Sequence, residues 1–166
     1  MTYRICVVCT GNICRSPMLE FLLREALDDA GLADRVEVDS AGISAEESGN
    51  PADPRTLAVL RRNAHADWGG SSHRARRIEK SWLADRDLVL AADSGHLRAL
   101  RRLAGGEPDH VRLIRSFDPA AVAAGTLDVD DPWYGWTDNA FDQTYAELQA
   151  AIPGILAHVE AALAER

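Results

Sequence analysis

The run Cys9-Thr10-Gly11-Asn12-Ile13-Cys14-Arg15-Ser16-Pro17 follows the apolar stretch Ile5-Cys6-Val7-Val8 directly and passes directly into a helical pattern that starts near Met18. Strand, tight loop and helix N-terminus succeed one another with no linker. Such a loop can turn its backbone N–H groups inward, and the helix start adds unpaired donors and the positive end of its macrodipole. The cradle therefore suits a tetrahedral oxyanion, phosphate first of all. Gly11 and Asn12 are residue types that tolerate positive φ, which converging N–H groups need. Pro17 fits a first helical turn, where no N–H is required.

Cys9 and Arg15 make this loop chemical as well as binding. The inward amides, the helix dipole and the guanidinium all favour thiolate, which is the nucleophilic form, so Cys9 is placed to attack. Arg15 lies across the same loop, where its planar fork can hold two equatorial oxygens of a phosphoryl group into the transition state. Ser16 can donate a hydrogen bond to the sulfur. Thr10, Gly11, Asn12, Ile13, Cys14 and Ser16 are the phosphate-binding positions. A bare C-x5-R is a weak pattern in a chain with three cysteines and 18 Lys and Arg residues; its place between strand and helix makes it specific.

The chain has 166 residues and is 46% hydrophobic, which suits one soluble globular domain with a single core. No charged N-terminal region precedes a long apolar segment, and no later run approaches membrane-spanning length, so a cytoplasmic protein without a membrane partner is expected. A net charge of −8 argues against nucleic acid. Arg74, Arg76 and Arg77 read as a solvated cluster, as do Arg98, Arg101 and Arg102. All three cysteines fall at or before Cys14, which is neither a disulfide framework nor a zinc site and implies a reducing compartment. Cys6 and Cys9 would point to opposite faces of a strand, so Cys6 reads as core.

Leu19, Leu22, Leu23, Ala26, Leu27 and Ala30 recur at helical spacing, and Gly31 ends the pattern as a C′ glycine would. Strands are expected at Val36 to Ser40, Leu88 to Ala91 and Val111 to Ile114. Asp53 caps a helix with Pro54 at its first position, a short helix lies near Lys80 to Leu83, and another begins at Ser94. Ser116 to Thr137 reads as a long loop. The last helix carries Phe141, Tyr145, Leu148, Ile152, Ile155, Val159 and Leu163 on one stripe, and Pro153-Gly154 should bend or split it. Strands alternating with helices argue for an α/β fold: a doubly wound, flavodoxin-like, four-stranded parallel sheet with helices on both faces, in a single domain. Ligands bind at the carboxyl ends of such strands near a switch point, where Cys9 sits if the first strand is central.

The long loop holds Asp128-Val129-Asp130-Asp131-Pro132-Trp133-Tyr134-Gly135. Cleaving an aryl phosphate requires an acid to protonate the leaving oxygen, and a carboxyl beside a bound phosphate is repelled in its charged form. Any one of the three aspartates can fill that role by position alone. An acidic turn, or a Mg²⁺ site of the D-x-D kind, are the plainer readings.

The loop C-T-G-N-I-C-R-S-P resembles the phosphate loop of the low-molecular-weight protein tyrosine phosphatases. Asp39-Ser40-Ala41-Gly42, Gly49 to Arg55, Ser72-His73-Arg74-Ala75-Arg76, Ala92-Asp93 and the Asp-Pro-Trp-Tyr-Gly segment fall in that family's order. The resemblance implies a phosphatase domain over residues 1–166. It implies hydrolysis of phosphotyrosine in proteins through a phosphocysteine intermediate, with no cofactor and no metal, by a monomer or weak dimer. The family's D-P-x-Y motif selects Asp131 as the acid, with Trp133 and Tyr134 as cleft walls. Asn12, Ser16, Ser40 and His73 would form a supporting hydrogen-bond network, with Asn12 left-handed. Counting back from Gly49-Asn50-Pro51, Glu46 stands where family members often carry an aromatic residue at the cleft mouth.

Rival readings are a protein-arginine phosphatase, an arsenate reductase and a non-catalytic phosphate-binding module. Arginine phosphatases commonly carry threonine at the position of Ile13. Arsenate reductases of this architecture relay electrons through late cysteines, and this chain has none after Cys14. A pure binding module would not need nucleophile, clamp and acid together.

Overall fold

Apolar β-branched runs bounded by turn residues become strands here, and the helices between them return the chain so that every strand starts from the same end of the sheet. The structure is a computed structural model that describes residues 1–135 and 139–166. Its strands are β1 (Tyr3–Cys9), β2 (Val36–Gly42), β3 (Leu88–Ala91) and β4 (Val111–Leu113). They form one parallel sheet in the order β2-β1-β3-β4, so β1 is central and the order reverses between β1 and β3. The carboxyl ends of β1 and β3, at Cys9 and Ala91, therefore lie beside the switch point.

Alternation along β1 splits the core. Ile5, Val7 and Cys9 join the helices α1 (Arg15–Asp29), α2 (Pro54–Arg62) and α6 (Asn139–Ala164) on one face, through Leu19, Leu23, Leu60, Leu148 and Ile155. Cys6 and Val8 join α3 (Lys80–Asp85) and α4 (Ser94–Ala104) on the other, through Leu83 and Leu100. Cys6 is fully buried in that second face, as its strand position requires. Among the described residues no helix is long and apolar enough to cross a membrane.

Local capping chemistry sets the helix ends. Asp53 Oδ1 accepts the Arg55 N–H at 2.8 Å with Pro54 in the first turn of α2, and Gly31 follows α1 at φ +72°. The same device appears where a loop was expected. Asp118 Oδ1 accepts the Ala120 N–H at 3.0 Å, Pro119 opens the helix α5 (Pro119–Ala124), and Gly125 closes it at φ +72°. Ile114–Phe117 and Pro132–Tyr134 form 3₁₀ turns. The segment read as one loop from Ser116 onward is thus mostly short helices. They are too short for apolar periodicity to show, and only the cap and the proline betray them. Trp136 and Thr137, at the end of that loop, lie outside the described residues.

Pro153 does not split α6, which runs from Asn139 to Ala164. The adjoining Gly154 has a packing reason: a Cβ there would stand 2.0 Å from the Phe117 carbonyl oxygen. The glycine lets the 3₁₀ turn after β4 sit directly on the helix. Gly154→Ala is therefore expected to destabilise the protein by about 1–3 kcal/mol through overpacking, despite the roughly 1 kcal/mol of helix propensity that alanine returns. Urea midpoints at constant m-value check this, and a variant as stable as the parent would mean the Phe117 turn moves freely.

Candidate active site

The loop between β1 and α1 is held from outside by its carbonyls. Those of Cys9 and Thr10 accept the N–H groups of Ile43 and Ser44 at 3.0 Å, and that of Ile13 accepts the Asp53 N–H at 2.8 Å. The Asn12 carbonyl accepts His73 Nε2 at 2.7 Å, and the Cys14 carbonyl accepts Thr56 Oγ1 at 3.3 Å. No N–H from Thr10 to Cys14 donates to another described residue. Carbonyls turned outward and N–H groups left over are the arrangement of an anion cradle. Asn12 makes the reversal by standing at φ +60°. Gly42, ending β2, allows the close fit, because a Cβ there would meet the Thr10 carbonyl oxygen at 2.6 Å.

Side chains brace the same turn. Asn12 Nδ2 donates to Ser16 Oγ and Ser40 Oγ, each at 2.8 Å, and Asn12 Oδ1 accepts the Arg76 N–H at 3.1 Å. Ser40 Oγ in turn donates to the buried Glu20 at 2.5 Å. Asn12, Ser16, Ser40 and His73 thus meet in one network. Glu20 and the Arg76 backbone belong to it and were not found from sequence. Glu20 carries only a helix-interior signal, and Arg76 reads by charge as part of a solvated cluster and stands in the resemblance segment Ser72 to Arg76 without a role of its own.

Cys9 Sγ lies 3.0 Å from Ser16 Oγ at the floor of a cleft of about 140 Å³. Cys14 turns away, with its Sγ 3.8 Å from Asp53 Oδ2. Burial first, then the charge of Asp53, pushes the Cys14 thiol up, so it stays protonated and contributes to the loop as backbone and buried thiol. For Asp53 burial acts upward, yet the bonds from Arg55 outweigh it and hold the carboxyl below its usual range.

Arg15 is 2% exposed. Its Nη1 donates to Asp93 Oδ2 at 2.9 Å and to the Val129 carbonyl at 2.8 Å; its Nη2 reaches Thr10 Oγ1 at 3.4 Å and Asp131 Oδ2 at 3.5 Å. Its buried Nε has no partner among the described residues. A fork fixed on one side with a donor to spare on the other is suited to a phosphoryl oxygen. For Asp93 burial acts upward, but the His96 N–H and the Arg15 guanidinium overcome it and hold the carboxyl low and charged. Asp93 is a site residue that sequence pattern alone marks only as the N-cap of α4, accepting the His96 N–H at 2.9 Å.

The three candidate acids separate cleanly. Asp128 is occupied by the N–H and hydroxyl of Ser94 at 2.8 and 3.1 Å, and Asp130 is exposed away from the cleft. Asp131 lines the cleft with Cys9, Arg15, Ile13, Trp133 and Tyr134. The Val129 N–H docks on the Ala92 carbonyl at 2.8 Å, and Asp131 Oδ1 accepts the Trp133 N–H at 3.0 Å, which together fix this segment over the cradle. Trp133 and Tyr134 are 47% and 77% exposed, with the Arg55 guanidinium over the Trp133 ring at 5.2 Å. Glu46 reaches the same cleft, and so does Glu47, whose Cγ would be 3.0 Å from a Cβ on Gly11.

The chain is 55% identical over 162 residues to a low-molecular-weight protein-tyrosine-phosphatase of Streptomyces coelicolor, covering 96% of this chain and 94% of that one. It is 42% identical over 157 residues to low-molecular-weight protein-tyrosine phosphatase A of Mycobacterium tuberculosis, covering 95% and 91%. The crystal structure of YfkJ from Bacillus subtilis superposes with a TM-score of 0.87 at 29% identity over 97% of this chain and 96% of that one. The profile of the low-molecular-weight phosphotyrosine protein phosphatases matches residues 4–165, and the chain belongs to that family.

Proposed function

We propose that residues 1–166 form one protein-tyrosine phosphatase domain that hydrolyses phosphotyrosine in proteins by way of a phosphocysteine on Cys9. The observation that carries this reading is that Cys9, Arg15 and Asp131 line one cleft, beside loop N–H groups that donate to no other described residue. Cys9 attacks phosphorus while Ser16 steadies the sulfur; Arg15 and the loop amides take up the charge on the equatorial oxygens. Asp131 gives its proton to the departing phenol oxygen. As a carboxylate it then takes a proton from the water that attacks the phosphocysteine, releasing inorganic phosphate and the thiolate. Trp133 and Tyr134 flank the aromatic ring of the substrate, and Ile13 presents an apolar surface to it. The cytoplasm, which keeps thiols reduced, suits the three free cysteines. The working unit is a monomer or weak dimer.

Steady-state release of phosphate from phosphotyrosine, phosphoserine and phosphoarginine peptides, with chelator present, tests class and specificity together. Turnover of the phosphotyrosine peptide alone is expected, and faster turnover of phosphoarginine would replace this reading. Cys9→Ser should abolish turnover yet still bind phosphate, and Arg15→Lys should lose roughly 10²–10³ in kcat because a point charge cannot reproduce the fork. Near-normal kcat in either variant would remove that residue from the mechanism.

Asp131→Asn should slow alkyl-substituted phenyl phosphates by about 10²–10⁴, and activated nitrophenyl phosphates far less, since only the former need the proton. Equal slowing across leaving groups would contradict the role given to Asp131.

Glu46 places negative charge at the mouth of a cleft that takes a dianion, a penalty of about 1 kcal/mol or less at an exposed site. Glu46→Trp should therefore lower KM for small aryl phosphates by up to roughly fivefold at low salt, leaving the leaving-group dependence of kcat alone. An unchanged KM at low and high salt would mean that Glu46 does not sense the bound phosphate.

A further inference from the structure

His96 is a buried histidine that the reaction outlined above does not use, and it stands one side chain away from the phosphate clamp. Its Nε2 lies 2.7 Å from Thr10 Oγ1, and its Nδ1 lies 3.2 Å from Asp93 Oδ1, too poorly aligned for a full hydrogen bond. Thr10 Oγ1 also receives Arg15 Nη2, and Asp93 Oδ2 receives Arg15 Nη1. Arg15, Asp93, His96 and Thr10 thus close a ring of polar contacts around one end of the guanidinium.

The ring fixes the direction of each proton. Arg15 only donates, so the Thr10 oxygen accepts from it; a hydroxyl keeps a second lone pair, so the direction of the bond between Thr10 and His96 Nε2 is decided at the other imidazole nitrogen, which faces Asp93 Oδ1 at 3.2 Å. An imidazole that accepts at Nε2 carries its proton on Nδ1, which is the nitrogen facing the Asp93 carboxylate. The opposite tautomer would turn a lone pair toward that carboxylate. Burial, aided by the nearby positive charge of Arg15, outweighs Asp93, Asp131 and Asp128 and lowers the imidazole to about 4, so it is neutral near pH 7 and free to accept.

We propose that His96 is a positioning residue for the phosphate clamp: by accepting the Thr10 hydroxyl proton it turns the Thr10 lone pair onto Arg15 Nη2 and holds the guanidinium plane with Nε toward the phosphoryl oxygens. This rests on Arg15 being the clamp. Without His96 the Thr10 hydroxyl rotates freely and its tether to the fork is lost. The consequence falls on the transition state, whose equatorial oxygens need the fork in one orientation, more than on ground-state phosphate, which any nearby cation attracts.

The test is inhibition by orthovanadate, which adopts the five-coordinate geometry, beside inhibition by inorganic phosphate, in His96→Leu, Thr10→Val and the double variant. Each single change is expected to weaken vanadate about five- to tenfold and phosphate less than twofold, with the double variant no worse than the weaker-binding single one. His96→Gln and Thr10→Ser, which keep an acceptor and a hydroxyl, should recover most of the loss. Vanadate affinity within twofold of the parent in both single variants overturns the proposal, and so do losses that multiply in the double variant. Vanadate and phosphate weakened equally overturn it too, since that is what general damage to the cradle produces. If His96→Leu fails to fold, Thr10→Val, a near-isosteric change on an exposed residue, decides the matter by the same vanadate-to-phosphate comparison. Arg15→Lys is the control: if it too keeps full vanadate affinity, the clamp assignment falls and takes this proposal with it, whereas loss there with none in Thr10→Val rejects the ring alone.

Discussion

The burial of one guanidinium governs the arrangement of this molecule. Taking Arg15 out of water to 2% exposure costs several kcal/mol unless its donors are matched. The chain matches them with groups from two distant places, Asp93 just past the end of β3 and the Val129 carbonyl in the segment after α5, and with Thr10 from the loop itself. The two distant groups are fixed in turn by something else that the fold needs. Asp93 caps α4, and the Val129 N–H is bonded to the Ala92 carbonyl, continuing the β3 end. The sheet order places β3 beside β1, which is what brings Asp93 within reach of an arginine that starts α1.

The cradle is organised from the opposite side by β2. Ser40 and Gly42 come from the end of that strand; one supplies a hydroxyl to Asn12 and the other a bare Cα where the loop backbone passes. His73 and the Arg76 backbone add two further braces to Asn12, from the segment that follows the 3₁₀ turn at Gly70–Ser72. A left-handed Asn12 is strained by itself, and this density of bonds is what holds it there. The ends of β2 and β3 therefore grip the loop from two sides, while α2 grips it from a third through Asp53 and Thr56.

What the sequence made legible follows from the range of the interactions. The strand, loop and helix around Cys9 are specified by neighbours in sequence, as are the caps at Asp53 and Gly31, and these were readable. α5 has the same Asp-Pro opening as α2 but only an alanine-rich turn and a half behind it, so periodicity had nothing to work on. Sequence left open whether Pro153 bends or splits α6, and the close fit of Gly154 against Phe117 was not readable, since only the folded chain brings that turn near. Position left three aspartates open as the acid. Two long-range contacts separate them, Asp128 to Ser94 and Val129 to Ala92, and neither leaves a trace in local pattern. Asp93, quoted only within the segment Ala92-Asp93 of the resemblance and given no role there, and His96 escaped for the same reason. One reads as a helix cap and the other as an ordinary helical residue until β3 is set beside β1.

The same grip also explains why a buried arginine retains an unmatched donor. A fully satisfied Arg15 would be more stable and would have nothing left for substrate; a loosely held one would have to be ordered at each encounter. Here Nη1 is matched twice by groups that cannot move without disturbing a helix cap and the β3 end, while among the described residues Nε is unmatched and Nη2 has only long contacts to Thr10 and Asp131. The ordering cost is met by folding, and under the proposed reading the donors left over are matched when a phosphoryl group enters the cradle. Because Arg15 lines the cleft, under the proposed reading any gain from completing its donors is realised against a phosphoryl group bound there.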